Sequence, residues 1–187
     1  MTPGIARTVR VEPCDPRNPE AVAVMERLSE ALAAITGDGG TSSFDPADVL
    51  VPRALFVVAR NGEGAVIGCG AYRPLEEEVA EIKRMYADQG CGAAVLAALE
   101  AGASADGYRE VRLSTRKVNT RATAFYRRHG YAPVAAYGRY VGREESVCMG
   151  RVLDEAIRAP NAGKAFESIR ERLKSPNLSP ETPESGQ

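Results

Sequence analysis

The 187 residues carry a formal net charge of −1, with 44% apolar and 26% charged side chains, enough for one ordinary core and too little positive charge for a strongly basic nucleic-acid binder. No run approaches the ~20 apolar residues that cross a bilayer, and the opening MTPGIARTVRVEP lacks the apolar centre of an export signal. The expectation is therefore a cytoplasmic protein with neither a nucleic-acid nor a membrane partner.

In chain order, IARTVRVEP alternates apolar and polar residues and predicts a first strand. NPEAVAVMERLSEALAAITG follows as a helix, with Val22, Met25, Leu28, Leu32 and Ile35 at helical spacing, Pro19 near its start and Gly37 at its stop. DGGTSSFDPADVLVPR is a loop. ALFVVAR and AVIGCGAYRPL form two strands joined by the hairpin signal NGEG. An acidic turn, Glu76 to Glu78, leads into the strand VAEIKRMYA. The helix GAAVLAALEAGASADGY, the strand EVRLST and the helix NTRATAFYRRHG come next, the last with Asn119 as N-cap. APVAAYGRY and ESVCMGRVL are predicted as two closing strands. This order gives an α/β domain over residues 1–153, a mixed central sheet of six to seven strands flanked by helices. Residues 154–187 form an extension, with a possible amphipathic helix over 162–174 and a Pro/Ser/Glu-rich tail expected to be disordered.

The chemistry concentrates at two junctions. YADQGCGAAVLAALE passes from strand to helix within a few residues and places Gly90 and Gly92 at the helix mouth. Orphan N–H groups and the helix dipole there suit a phosphate or pyrophosphate, although a tight turn without a ligand reads the same way. Cys14, Cys69, Cys91 and Cys148 are scattered with no CxxC pair, and there is one histidine, so no metal is expected and a Ser–His or Cys–His hydrolase is disfavoured. A Walker lysine and a GxGxxG unit are both missing, which disfavours a binding domain for another nucleotide.

Taken together, VAEIKRMYA, QGCGAA and NTRATAFYRRHGY resemble the GNAT superfamily of acyl-CoA-dependent N-acetyltransferases over roughly residues 7–153. Gln89, Gly92 and Ala94 match its Arg/Gln-x-x-Gly-x-Gly/Ala loop. Asn119, Ala122, Phe125, Tyr126, Gly130 and Tyr131 match its second motif in order. The resemblance implies acetyl-CoA as co-substrate. Its pyrophosphate would lie on the loop and helix start formed by Gln89, Gly90, Cys91, Gly92, Ala93 and Ala94. Met85, Tyr86 and Ala87 would line its pantetheine arm at a strand edge, with Asn119 and Phe125 completing the site. One departure is visible: a single residue, Asp88, separates Ala87 from Gln89, so the loop is about three residues short and carries a negative charge toward the phosphates.

The resemblance also implies Tyr126 as general acid toward the departing thiolate and Glu81 as base toward the acceptor amine. Strand alternation puts Glu81 on one face with Lys83 and Met85, opposite Ile82 and Arg84, and an ion pair of Glu81 with Lys83 or Arg84 is the plainer alternative. Tyr126 would otherwise pack its helix on the sheet, and His129 sits at a helix end where a structural role is expected. Cys91 is either a reactive thiol at a helix start or a small packed residue. Arg73, Tyr137, Arg139 and Tyr140 are candidates to hold a carboxylate or sugar of the acceptor, and residues 37–45 are a candidate cover. The function these readings support is acetyl transfer to a primary amine of a small molecule or protein. The alternative is a non-catalytic module of the same fold with a weakened CoA loop. A homodimer through the last strands is possible.

Overall fold

The computed structural model describes residues 8–153, and the proposed extension beyond them lies outside that range. Seven strands and three α-helices follow in the order β1 (Arg10–Pro13), α1 (Pro19–Thr36), β2 (Leu55–Arg60), β3 (Val66–Glu76), β4 (Val79–Ala87), α2 (Gly92–Ala105), β5 (Glu110–Arg116), α3 (Thr120–Arg128), β6 (Ala132–Pro133) and β7 (Ser146–Val152). The expected mixed α/β sheet is present, ordered β1-β2-β3-β4-β5-β7-β6. All neighbours are antiparallel except β4 and β5.

Local chemistry explains the helix boundaries. The Asn18 side chain accepts a hydrogen bond from Glu20 N ahead of Pro19, and Gly37 closes α1 at φ 75°. Between α1 and β2 the loop makes two short 3-10 turns, Thr41–Ser43 and Pro46–Val49. Both sheet faces are covered, so β2 is apolar from Leu55 to Ala59 rather than alternating. Its Phe56 and Val58 join Val24, Met25 and Phe44 beneath α1, while Leu55 and Val57 join Val95, Leu99 and Tyr126 beneath α2 and α3.

One expected strand is largely replaced. Only Ala132–Pro133 of APVAAYGRY pairs with β7, and Gly138–Tyr140 instead forms a 3-10 turn. The buried Tyr137 just before that turn points its hydroxyl at Glu81 of β4. Anchoring this aromatic pulls the segment off the sheet edge.

Two irregularities of β4 make the site. Its pairing with β5 covers only Val79↔Glu110, Ala80↔Val111 and Glu81↔Arg112, after which the strands part. On its other edge the register with β3 slips between Ala71↔Lys83 and Cys69↔Tyr86, which leaves one extra β4 residue opposite Gly70. Arg84 sits in this bulge at φ 52°, a left-handed conformation uncommon outside glycine. The bulge corrects the simple alternation expected for this strand. Met85 packs with Ile82 toward α2, whereas Arg84 turns to the side of Lys83, its guanidinium 5.5 Å from the Phe44 ring.

The close approach of β3 to the α2 entry requires Gly68, where an added Cβ would lie 2.5 Å from Cys91 Sγ and 2.8 Å from the Tyr86 carbonyl oxygen. Gly68→Ala is expected to cost about 1–3 kcal/mol through overpacking. Thermal unfolding should then fall by several degrees, at roughly 2–4 °C per kcal/mol for a domain of this size. An unchanged midpoint would show that the helix entry yields without strain.

Candidate active site

Where β4 and β5 separate, a cleft runs through the sheet. One part is lined by Met85, Leu113, Asn119, Ala122 and Tyr126; the other by Arg139, Tyr140, Arg143 and Ser146. Lys83, Ser114 and Thr115 line both.

The α2 entry follows directly from the end of β4. Asp88 N bonds the Ile67 carbonyl at 2.9 Å, and Gln89 (φ 50°) and Gly90 (φ 79°) then reverse the chain in two left-handed steps. The Asp88 carboxylate is turned back onto Gln89 N at 2.7 Å. The N–H groups of Gly90, Gly92, Ala93 and Ala94 have no hydrogen-bond partner among the described residues. Four free amides at a helix start fit a phosphate group without any basic side chain. The short loop therefore still delivers an anion cradle, from backbone alone. Cys91 contributes no side chain to it: its thiol is buried, lies 3.5 Å from the Ile67 carbonyl oxygen, and is pushed up in pKa by that burial. The packed reading of Cys91 is the one the geometry matches. Phe125 closes the cradle from below; a Cβ on Gly92 would come within 3.1 Å of its ring.

Asn119 caps α3, its Oδ1 accepting from Ala122 N at 3.1 Å. Its amide NH2 donates to no described residue, so it is available where the side chain lines the cleft. Tyr126 also lines the cleft. Its hydroxyl has no hydrogen-bond partner among the described residues, and burial raises its pKa, so the phenol stays protonated at neutral pH. His129 stands apart. Its Nδ1 lies 2.8 Å from the Phe125 carbonyl, which can only accept, so that nitrogen carries the proton and ties the end of α3. Tyr131 likewise turns away, donating to Glu100 at 2.9 Å.

On the other side lies a buried polar cluster. Glu81 is 2% exposed; its Oε2 accepts from Arg73 Nε at 2.9 Å and from a second guanidinium nitrogen at 2.8 Å, and its Oε1 accepts from the Tyr137 hydroxyl at 3.2 Å. Arg73 also pairs with Asp48 of the early 3-10 turn. Lys83 Nζ stands 3.7 Å from Glu81 Oε1 and donates to the Tyr140 hydroxyl at 2.7 Å. Burial, the largest influence, lowers the Lys83 pKa, while Glu81 raises it. Arg139 donates to the Ser42 carbonyl at 2.7 Å, tying the 138–140 turn to the loop after α1. The structure thus brings Arg73, Glu81, Tyr137 and Tyr140 into one network and leaves Arg139 at its rim. Glu81 is sealed behind Arg73, Tyr137 and Lys83, and Lys83 and Tyr140 are the members that line the cleft. The sequence reading had placed Lys83 only as an ion-pair partner; the bulge that also brings in Arg84 leaves no mark in residue spacing.

A cleft through a parted sheet, with a backbone anion cradle at one end, decides the family when joined to sequence comparison. The Acetyltransferase (GNAT) family model matches residues 14–131. The chain belongs to this family. No curated protein matches it. Among solved structures, a Klebsiella pneumoniae protein proposed to be an acyl-CoA N-acyltransferase shares 28% identity, covers 79% of this chain and 99% of its own, and superposes with a TM-score of 0.66. A GNAT acetyltransferase of Elizabethkingia anophelis with acetyl-CoA bound, and an aminoglycoside 6′-N-acetyltransferase complexed with coenzyme A, each share 15% identity. Both cover 78% of this chain, with 98% and 97% of their own respectively, at a TM-score of 0.57, a likeness of fold. No described helix is long and apolar enough to cross a membrane.

The buried Arg73–Glu81 pair yields a direct test. Arg73→Met strands the Glu81 carboxylate and is expected to destabilise the domain by about 3–5 kcal/mol, whereas Arg73→Met with Glu81→Gln should recover much of that loss. Denaturant unfolding of the two variants checks this; additive losses would mean the pair is not coupled.

Proposed function

We propose that this GNAT-family protein transfers an acetyl group from acetyl-CoA to a primary amine. The observation that carries the reading is the combination of free amides at Gly90, Gly92, Ala93 and Ala94, directly after β4, with an unpaired Tyr126 hydroxyl in the cleft where β4 parts from β5. The residues fit acetyl-CoA: the amides suit its pyrophosphate, the backbone of Met85 to Ala87 offers an open strand edge to its amide arm, and Asn119 has an NH2 to give. When bound, acetyl-CoA supplies an activated acyl group and a thiolate leaving group.

The chain's own groups then handle the protons. The acceptor nitrogen forms the new N–C bond as the C–S bond breaks. Lys83, whose pKa burial lowers, acts through its neutral form and takes the proton the nitrogen gives up, with Glu81 holding the resulting ammonium. Tyr126 donates to the departing sulfur, and the proton on Lys83 returns to the tyrosinate through solvent. Glu81 therefore serves as the buried half of a base pair with Lys83, and Arg73 and Tyr137 are positioning residues for it.

Calorimetry with acetyl-CoA tests the donor side. Micromolar binding is expected, weakened about tenfold in Asn119→Ala and unchanged in Tyr126→Phe, whose turnover should fall by about two orders of magnitude. No binding at millimolar ligand would make the non-catalytic module the better reading.

The pH profile separates the two carboxylate roles. Activity should rise through a pKa below that of free lysine, and Lys83→Met should remove this limb. Because Glu81 raises the Lys83 pKa, Glu81→Gln should move the limb to lower pH. If Glu81 takes the proton directly, Glu81→Gln abolishes the limb instead.

A further inference from the structure

The cleft on the α1 side of the sheet is strongly cationic. Across its lining stand Lys83, Arg84, Arg116, Arg139 and Arg143, against one acidic residue, Asp38. Two of these cations are balanced: Arg116 lies 2.8 Å from Glu145, and Lys83 faces Glu81. The Asp38 carboxylate accepts from Gly40 N at 2.9 Å, so it is engaged with its own loop.

Arg84, Arg139 and Arg143 have no carboxylate partner among the described residues. Arg84 is the most telling. The bulge in β4 forces it to the same side as Lys83, its Nε is buried with no hydrogen-bond partner, and its one polar contact is a 3.3 Å bond to the Gly39 carbonyl. A guanidinium taken out of water without an opposite charge is costly unless an anion completes it. Arg139 spends one nitrogen on the Ser42 carbonyl, and the exposed Arg143 side chain is unengaged. The acidic run Glu76 to Glu78, which would have attracted a cationic amine, lies at the other end of β4; its Glu76 and Glu78 pair with Arg112 and Arg109.

We propose that the acceptor is a small primary amine that carries an anionic group, a carboxylate or a phosphate. Arg84, Arg139 and Arg143 hold that group while the nitrogen lies beside Lys83 at the parting of β4 and β5. The proposal rests on the acetyl-transfer reading above for the fate of the nitrogen, and on the cleft's own charge for the anion. Forked guanidinium donors suit both anions, and a polyamine or an aminoglycoside would meet repulsion here.

Two arms test it. In the first, thiol release from acetyl-CoA is measured with matched amines: amino acids against their C-terminal amides, phosphoethanolamine against ethanolamine, and spermidine and an aminoglycoside as polycations. The anionic member of a pair should lead by at least tenfold in kcat/KM, and the pair that leads names the anion. Arg139→Ala with Arg143→Ala should raise the acceptor KM about tenfold and leave acetyl-CoA binding unchanged. Equal rates within both pairs, or a preferred polycation, would overturn the proposal.

In the second arm, succinate and inorganic phosphate are titrated into the CoA-bound protein by calorimetry. Saturable binding should vanish in the Arg139→Ala, Arg143→Ala protein and persist in Arg10→Ala with Arg109→Ala, which removes the same charge from surface ion pairs elsewhere. Absent binding, or equal loss in both double variants, sinks the anion site. Intact anion binding with no amine acetylated at all would reject the catalytic reading and leave the site standing.

Discussion

Everything at the site depends on β4 being denied a full-length partner on its β5 edge, although β3 runs the length of the other. Three residue pairs hold it to β5, and beyond Glu81↔Arg112 the two strands diverge because β5 keeps its complete register with β7. Side chains from both strands and from α3, Leu113, Met85 and Tyr126 among them, fill the wedge that opens. Unpaired strand backbone is ordinarily a liability. Here it lets an extended ligand both bond the sheet and pass from one face to the other.

The two faces of that opening are built from different materials. The α2 side offers mainly main-chain amides, set by a pair of left-handed residues, Gln89 and Gly90, and by the glycines that let α2 approach the sheet. The α1 side offers side chains held by one buried carboxylate. Glu81 gathers Arg73, Lys83 and Tyr137, and through Arg73 and Tyr137 it ties the early 3-10 turn and the late loop to the same strand. A buried charge so fully engaged fixes geometry more than it adds stability.

The mouth on the α2 side was legible in sequence because free main-chain amides at a helix start demand glycine and cap residues at fixed spacing. Gly90, Gly92 and Asn119 stand where the loop and the α3 cap need them, and the order of strands and helices followed from hydropathy. The polar cluster on the α1 side was legible only as separate candidates, because its members come from β3, β4 and two loops with no common spacing. Arg73 and Tyr137 were visible as candidates, but not that both would converge on Glu81. Two further features were invisible for a physical reason. The bulge at Arg84 is set by packing of β4 between β3 and the opening wedge, and no local residue pattern encodes it. The strand expected over 132–140 fails because burying Tyr137 against Glu81 outweighs edge pairing, a tertiary effect on a segment of reasonable strand propensity.

The bond from Arg139 to the Ser42 carbonyl joins segments 97 residues apart in sequence, and it does so through a backbone oxygen that any residue at position 42 would offer. The rim of the α1-side cleft is thus spliced from two loops whose seam rests on one side chain, Arg139, and one backbone oxygen. Substitutions in residues 38–43 and 138–143 can reshape what enters from that side without disturbing a single amide of the opposite mouth. The molecule is in this sense a fixed socket with an exchangeable collar, and its accumulated sequence change should fall unevenly, heavy on the collar and light on the socket.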